Sequence, residues 1–221
     1  MNEAFERADA LERQGDTAAA VRLFEELAAS EYGPALSRLG LIAVERGDEA
    51  GAEGWWERAA AAGHAAAMFN LGLLADSQAR PGDSERWFRA GAAAGDTDAA
   101  FNLAHLLEQR GDTREAIEFY RVSAAAGDVK AMYNVGSLLF VDRGKFDYGD
   151  EYRTWWQRGA DAGEMHSAYS LAVAYEVLDP EAAVELFRAA IAAGHPKAEG
   201  RLAAFTNERW SDGRPHIRGL F

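Results

Sequence analysis

Apolar residues recur along the chain at steps of three and four, in stretches of about three helical turns that glycine interrupts. One stretch runs through Ala67, Phe69, Leu71 and Leu74, with the polar Asn70 and the small Gly72 set among them. That spacing predicts an amphipathic helix with one core-facing stripe. A glycine–aspartate pair then breaks the pattern, at Gly15-Asp16, Gly47-Asp48, Gly82-Asp83 and Gly111-Asp112. Glycine is expected to close one helix there and aspartate to cap the next. The second stretch carries a large aromatic followed by alanines, as in WWERAAAAG (55 to 63), and ends on glycine. A left-handed residue at that glycine lets the chain reverse. The few prolines fall between such stretches, so no strand is predicted.

This helical pair repeats. Copies read AAGHAAAMFNLGLL (61 to 74), AAGDTDAAFNLAHLL (93 to 107), AAGDVKAMYNVGSLL (125 to 139) and, more weakly, AGEMHSAYSLAVAY (162 to 175). The linker glycines Gly63, Gly95, Gly127, Gly163 and Gly194 lie 32, 32, 36 and 31 residues apart. The aromatics Phe24, Trp56, Phe88, Tyr120, Trp156 and Phe187 keep the same period, with spacings of 32, 32, 32, 36 and 31. A lone hairpin of this length cannot bury its apolar face, so consecutive hairpins must stack. The expected fold is all-α, a right-handed superhelical α-solenoid of about six to seven antiparallel helix pairs. Gly40, Gly72, Ala104, Gly136, Ala172 and Ala203 follow the leucine position and make room for the facing aromatic. Five of the six tryptophans sit at that aromatic point, where core packing explains the inner ring better than ligand stacking does.

With these residues in view, the chain resembles Sel1-like repeats, relatives of the tetratricopeptide repeat. The likeness is carried by AMFNLG (67 to 72) with Trp55-Trp56 and Arg58-Ala59-Ala60, and by AMYNVG (131 to 136) with Trp155-Trp156 and Arg158. It covers the chain from about Pro34 to about Ala204. The expected organisation is one solenoid over 1–206. Residues 1–33 form a tetratricopeptide-like amino-terminal cap, 34–195 the Sel1-like repeats and 196–206 a last helix. Residues 207–221 are a locally basic tail read as docking on the solenoid's open end, where Trp210 and Phe221 either pack back onto the last helices or stand free as an apolar handle. The resemblance implies a non-enzymatic scaffold or adaptor that holds a partner protein or extended peptide along a concave groove lined by first helices.

Composition narrows the chemistry. Alanine supplies 47 residues and cysteine none, which suits close helix contacts and removes disulfides, thiolate metal ligands and thiol nucleophiles. The richness in alanine, arginine and glycine is the compositional habit of a bacterium with a GC-rich genome. A formal charge of −13 disfavours nucleic acid and anionic membranes and favours a basic or neutral partner over an acidic one. The charged amino terminus lacks the apolar core of a signal peptide, and no uncharged run approaches the ~20 residues of a membrane span, so a cytoplasmic location is expected.

The candidate binding residues lie on the first helices. Phe69-Asn70, Phe101-Asn102 and Tyr133-Asn134, with Tyr169 and Ser170 as a variant, place an aromatic and a polar group at one level of each repeat. A carboxamide donates and accepts, as gripping an extended backbone requires, and flanking rings offer side-chain pockets. The same asparagines are also read, and more readily, as buried hydrogen-bonding ties between adjacent helices. His105 lies one turn further on, and Asp76, Glu108, Gln109, Phe140 and Glu176 extend the face, with Arg38 and Arg201 as its cations.

No catalytic, metal or cofactor constellation stands beside them. The five histidines are scattered without a pair at helical spacing, and the acidic turn DRGKFDYGDE (142 to 151) lacks calcium-loop order. Nucleophile-elbow and phosphate-loop motifs are missing from the sequence. An enzyme is therefore not expected. The alternative functions are a receptor for a small peptide signal, or a component that presents substrate within an enzyme complex.

Overall fold

The structure is a computed structural model that describes residues 1–142 and 149–210, the last three as backbone alone. The expected tail docking and most of the acidic turn at 142–151 lie outside these residues. The described residues form thirteen helices and no strand. They fall into two compact units that divide between Asp112 and Thr113.

The first unit holds α1 (Asn2–Arg13), α2 (Thr17–Ala28), α3 (Gly33–Glu45), α4 (Glu49–Ala61), α5 (Ala65–Ser77), α6 (Pro81–Ala93) and α7 (Thr97–Arg110). The second holds α8 (Thr113–Ala125), α9 (Val129–Asp142), α10 (Glu151–Asp161), α11 (Met165–Tyr175), α12 (Pro180–Ala192) and α13 (Ala198–Trp210). Within each unit every helix packs on the next, and the odd-numbered helices are the first members of the pairs. Thus α5 touches both α3 and α7, and α11 touches α9.

The core is built from the periodic positions. Phe24, Leu36, Trp56, Leu71 and Phe88 are buried in the first unit; Val135, Leu139, Trp156, Leu171 and Phe187 are buried in the second. Burial of each such side chain contributes about 1.5–3 kcal/mol. In α3, α5 and α9 the glycine after the leucine position faces the aromatic of its partner helix. A Cβ at Gly40, Gly72 or Gly136 would overlap Trp56, Phe88 or Trp156 respectively. The two indoles also donate their ring N–H to main-chain oxygens of the first helix, Trp56 to Ser37 at 3.1 Å and Trp156 to Tyr133 at 3.3 Å. The outer ring of each pair stays half-buried beneath a guanidinium, Trp55 under Arg58 and Trp155 under Arg158.

A second close approach joins each pair to the next. A Cβ on Gly91 would lie 2.8 Å from that of Ala99, and Gly159 meets Ser167 in the same way. Small residues therefore line both kinds of helix crossing.

The turns follow the expected glycines at most places, since Gly15, Gly47, Gly63, Gly95, Gly127, Gly163 and Gly194 all have positive φ. The Gly82-Asp83 break is a correction. Ala79 carries the left-handed conformation (φ 55°), Arg80 is the N-cap, and Pro81 opens α6, so Gly82 and Asp83 lie inside its first turn. Proline lacks the N–H that only the first turn leaves unused. Counting in steps of 32 from Gly15 and Gly47 also arrives at residue 79. At the other end, α13 continues to Trp210, past the expected stop at 206, because neither glycine nor proline occurs until Gly213.

Candidate functional site

The face that the first helices present is set by which side chains the stacking leaves over. Asn70, Asn102 and Asn134 are all half-buried. Asn102 Nδ2 donates to the main-chain oxygen of Asp98, one turn back on α7, at 2.8 Å. That bond stays within its own helix and ties no neighbour. The aromatic members of the rungs divide their surfaces between core and face. Phe69 lies 6.0 Å from Phe88, and Phe101 is half-buried with contacts of its own. Tyr133 lies 5.4 Å from His166, and Tyr169 lies 5.8 Å from Phe187 and stacks on His195 at 4.1 Å. His105 is exposed on α7, where its Nε2 accepts from the Gln109 carboxamide at 2.9 Å.

The two expected cations of the face are engaged elsewhere. Arg38 on α3 pairs with Glu12 on α1 at 2.7 Å, and Arg201 on α13 pairs with Glu176, just beyond α11, with Nε 2.6 Å from Oε1. Each bond clasps one first helix to the preceding one. The clasp removes Glu176 from the set of open acids as well, while Asp76 is exposed. Residues 38, 70, 102, 134, 170 and 201 share one register, so the rung is arginine at both outer positions, asparagine at three inner ones and serine at the fourth.

In the second unit the face opens into a cleft of about 270 Å³ between α9 and α11, with α10 as its floor. Phe140, Val141, Trp156, Tyr169, Val173 and Ala174 form apolar walls, and Ser137 and Ser170 supply two hydroxyls. Phe140 is held in place by Tyr152 at 5.2 Å and Trp156 at 5.3 Å. Val141 carries the apolar surface outward, at 73% exposure. Sequence reasoning had singled out Phe140 and Tyr169 but missed Ser137, Val141 and Val173. The signal for Ser137 and Val173 is the register of Leu41, Leu73, His105, Ser137 and Val173, where one first-helix position varies freely.

Two histidines of the turns are held below their ordinary pKa. Burial lowers His64, against a smaller opposing pull from Asp96. Burial also lowers His195, assisted by His166 and Lys197 and opposed by Glu164. Among the described residues, no three His, Cys, Asp or Glu side chains group as metal ligands, and no helix is long and apolar enough to cross a membrane.

The arrangement has known counterparts. Residues 99–128 match the tetratricopeptide repeat. A protective antigen of uropathogenic Escherichia coli with an SLR fold superimposes at a TM-score of 0.77 and 21% identity, over 94% of this chain. The present chain spans about half of that protein, 50% of its length. A Sel1 repeat protein from Oxalobacter formigenes matches at TM-score 0.66 and 24% identity, covering 97% of this chain and 93% of its own. YrrB, a tetratricopeptide protein described as having an unusual peptide-binding site, matches at TM-score 0.55 and 17% identity, over 84% of this chain and 97% of its own. No curated protein matches the chain in sequence. At these identities the likeness is one of fold.

Proposed function

We propose that this Sel1-like, tetratricopeptide-related repeat protein is a non-catalytic scaffold that holds a segment of another protein against its first-helix face. The observation that carries the reading is the cleft between α9 and α11. It offers apolar walls sized for one aliphatic or aromatic side chain, and two serine hydroxyls for a main chain lying across it. A packed core has no use for such a hollow. The charge of −13 favours a partner segment that is basic or neutral. In the first unit Phe69, Asn70, Phe101, Asn102 and His105 are assigned the same gripping role; in the second unit Tyr133, Asn134 and Tyr169 are. The peptide-binding site named for YrrB gives a precedent on this fold.

The test is a photo-crosslinking residue at Val173, with a matched control at the exposed Arg188 of α12. A single protein cross-linked from position 173 in source-cell lysate, absent from position 188 and lost in the Ser170→Arg background, is the expected result. Equal labelling from both positions, or none from 173, overturns the assignment of this face.

A further inference from the structure

The repeat places one residue in the turn before every first helix after α1, at the N-cap itself except in the last, where α13 begins at Ala198 and the residue stands two places before the cap. In order these are Tyr32, His64, Asp96, Asp128, Glu164 and His195. The three carboxylates hold their helix ends by accepting main-chain N–H bonds. Ala99 N–H donates to Asp96 at 2.7 Å and Ala131 N–H to Asp128 at 2.8 Å. His166 and Ser167 N–H donate to Glu164 at 3.0 and 2.5 Å. At the two histidines the acceptor is ring nitrogen: Ala67 N–H donates to His64 Nδ1 and Lys197 N–H to His195 Nδ1, both at 3.3 Å. A ring nitrogen accepts only while it carries no proton.

We infer that the His64 and His195 joints form a pH-sensitive device, in which mild acidification uncaps α5 and loosens the turn that leads into α13 while the carboxylate-capped joints hold. Three effects act together on protonation. The Nδ1 lone pair is lost and its former donor is left facing another N–H. The new positive charge sits at the positive end of a helix dipole. Each ring also lies in a packed joint, His64 beside Gly33 of α3, where an added Cβ would stand 3.0 Å from its own, and His195 against α11.

The groups that face these rings decide the balance. His64 feels Asp96, which favours the charged form but less strongly than burial opposes it. His195 faces His166 edge-on at 5.1 Å, with Tyr133 behind it, and feels Lys197; Glu164 pulls the other way. The Tyr169 ring offers an imidazolium some cation–π attraction. The net direction for both histidines is downward, so the folded chain prefers them neutral. Stability is then complete above the ordinary histidine value of about 6.5 and falls as pH drops below it toward the depressed folded value. The ordinary carboxylate value lies roughly two units below that of imidazole.

The device reaches the candidate site because Tyr169 both stacks on His195 and walls the cleft. That coupling to partner binding rests on the scaffold reading above; the uncapping itself does not.

The full-length chain is followed by amide hydrogen exchange at pH 7.5 and 5.5, corrected for intrinsic rates, alongside His64→Asp, His195→Asp and the double variant. Aspartate is what the equivalent joints already use, so these variants keep a hydrogen-bond acceptor at each joint. In the wild type, exchange at Ala67 and Lys197 is expected to accelerate about fivefold at pH 5.5, the change that losing one N-cap produces. Ala99 and Ala131 should not follow. Each aspartate variant should abolish the response at its own joint. Uniform acceleration at all joints, or an unchanged pH response in the double variant, overturns the device. If the exchange pattern holds while position 173 cross-links to nothing at either pH, the scaffold reading fails and the joint device stands.

Discussion

Gly72 shows how much a single missing side chain decides. The Phe88 ring occupies the space a Cβ would take, and the same holds between Gly40 and Trp56 and between Gly136 and Trp156. Gly72→Ala is expected to destabilise the protein by about 1–3 kcal/mol, the usual result of overpacking a closed contact. Gly54, in the middle of α4 with open space around its Cα, provides the opposite case. Gly54→Ala should stabilise by roughly 0.5–1 kcal/mol through helix propensity alone. Thermal melts of both variants, followed by circular dichroism, check the pair; the same sign for both would refute the packing argument. The glycine–aromatic match was legible in the sequence, because both residues keep one period and a small-to-large match needs no further information. The fate of Arg38 and Arg201 was not, since their partners Glu12 and Glu176 lie 26 and 25 residues away and only stacking brings them within reach.

Between elements, the turn after α5 departs from the equivalent turns after α1, α3 and α7. Its left-handed residue is Ala79, where the equivalent turns place Gly15, Gly47 and Gly111. A Cβ in that conformation costs about 1–2 kcal/mol, partly offset by the greater unfolded-state freedom of glycine. Ala79→Gly should therefore stabilise by about 1 kcal/mol, read as a higher urea midpoint with an unchanged slope. A midpoint shift to lower urea would show that the strain is absent. Local signals misplace this turn because Gly82-Asp83 looks like a stop and a cap, whereas Pro81 has already committed the residues after it to α6. Register decides against local likeness here: a stacked hairpin needs its helices in phase with their neighbours.

For the whole molecule, a repeat whose members touch only their neighbours should tolerate the loss of one complete period. Removing residues 49–80 deletes 32 residues and joins Asp48, the cap of α4, directly to Pro81, the opening of α6. The shortened chain is expected to fold with undiminished helicity per residue and a lower melting temperature. Removing 49–64 instead deletes one helix, sets two first helices in succession, and should abolish the cooperative transition. If both deletions behave alike, the period has no structural meaning. The helix pairs, their period, the ring-on-glycine contacts and most turns were determined by the sequence alone, because each is encoded within about 32 residues by spacing and side-chain size. Only the tertiary structure decided which polar groups remain open on the first-helix face. Clasps such as Arg38 with Glu12, the Asn102 bond to Asp98 and the hollow beside Tyr169 arise from distances between successive repeats and from rotamers. The apolar period constrains neither.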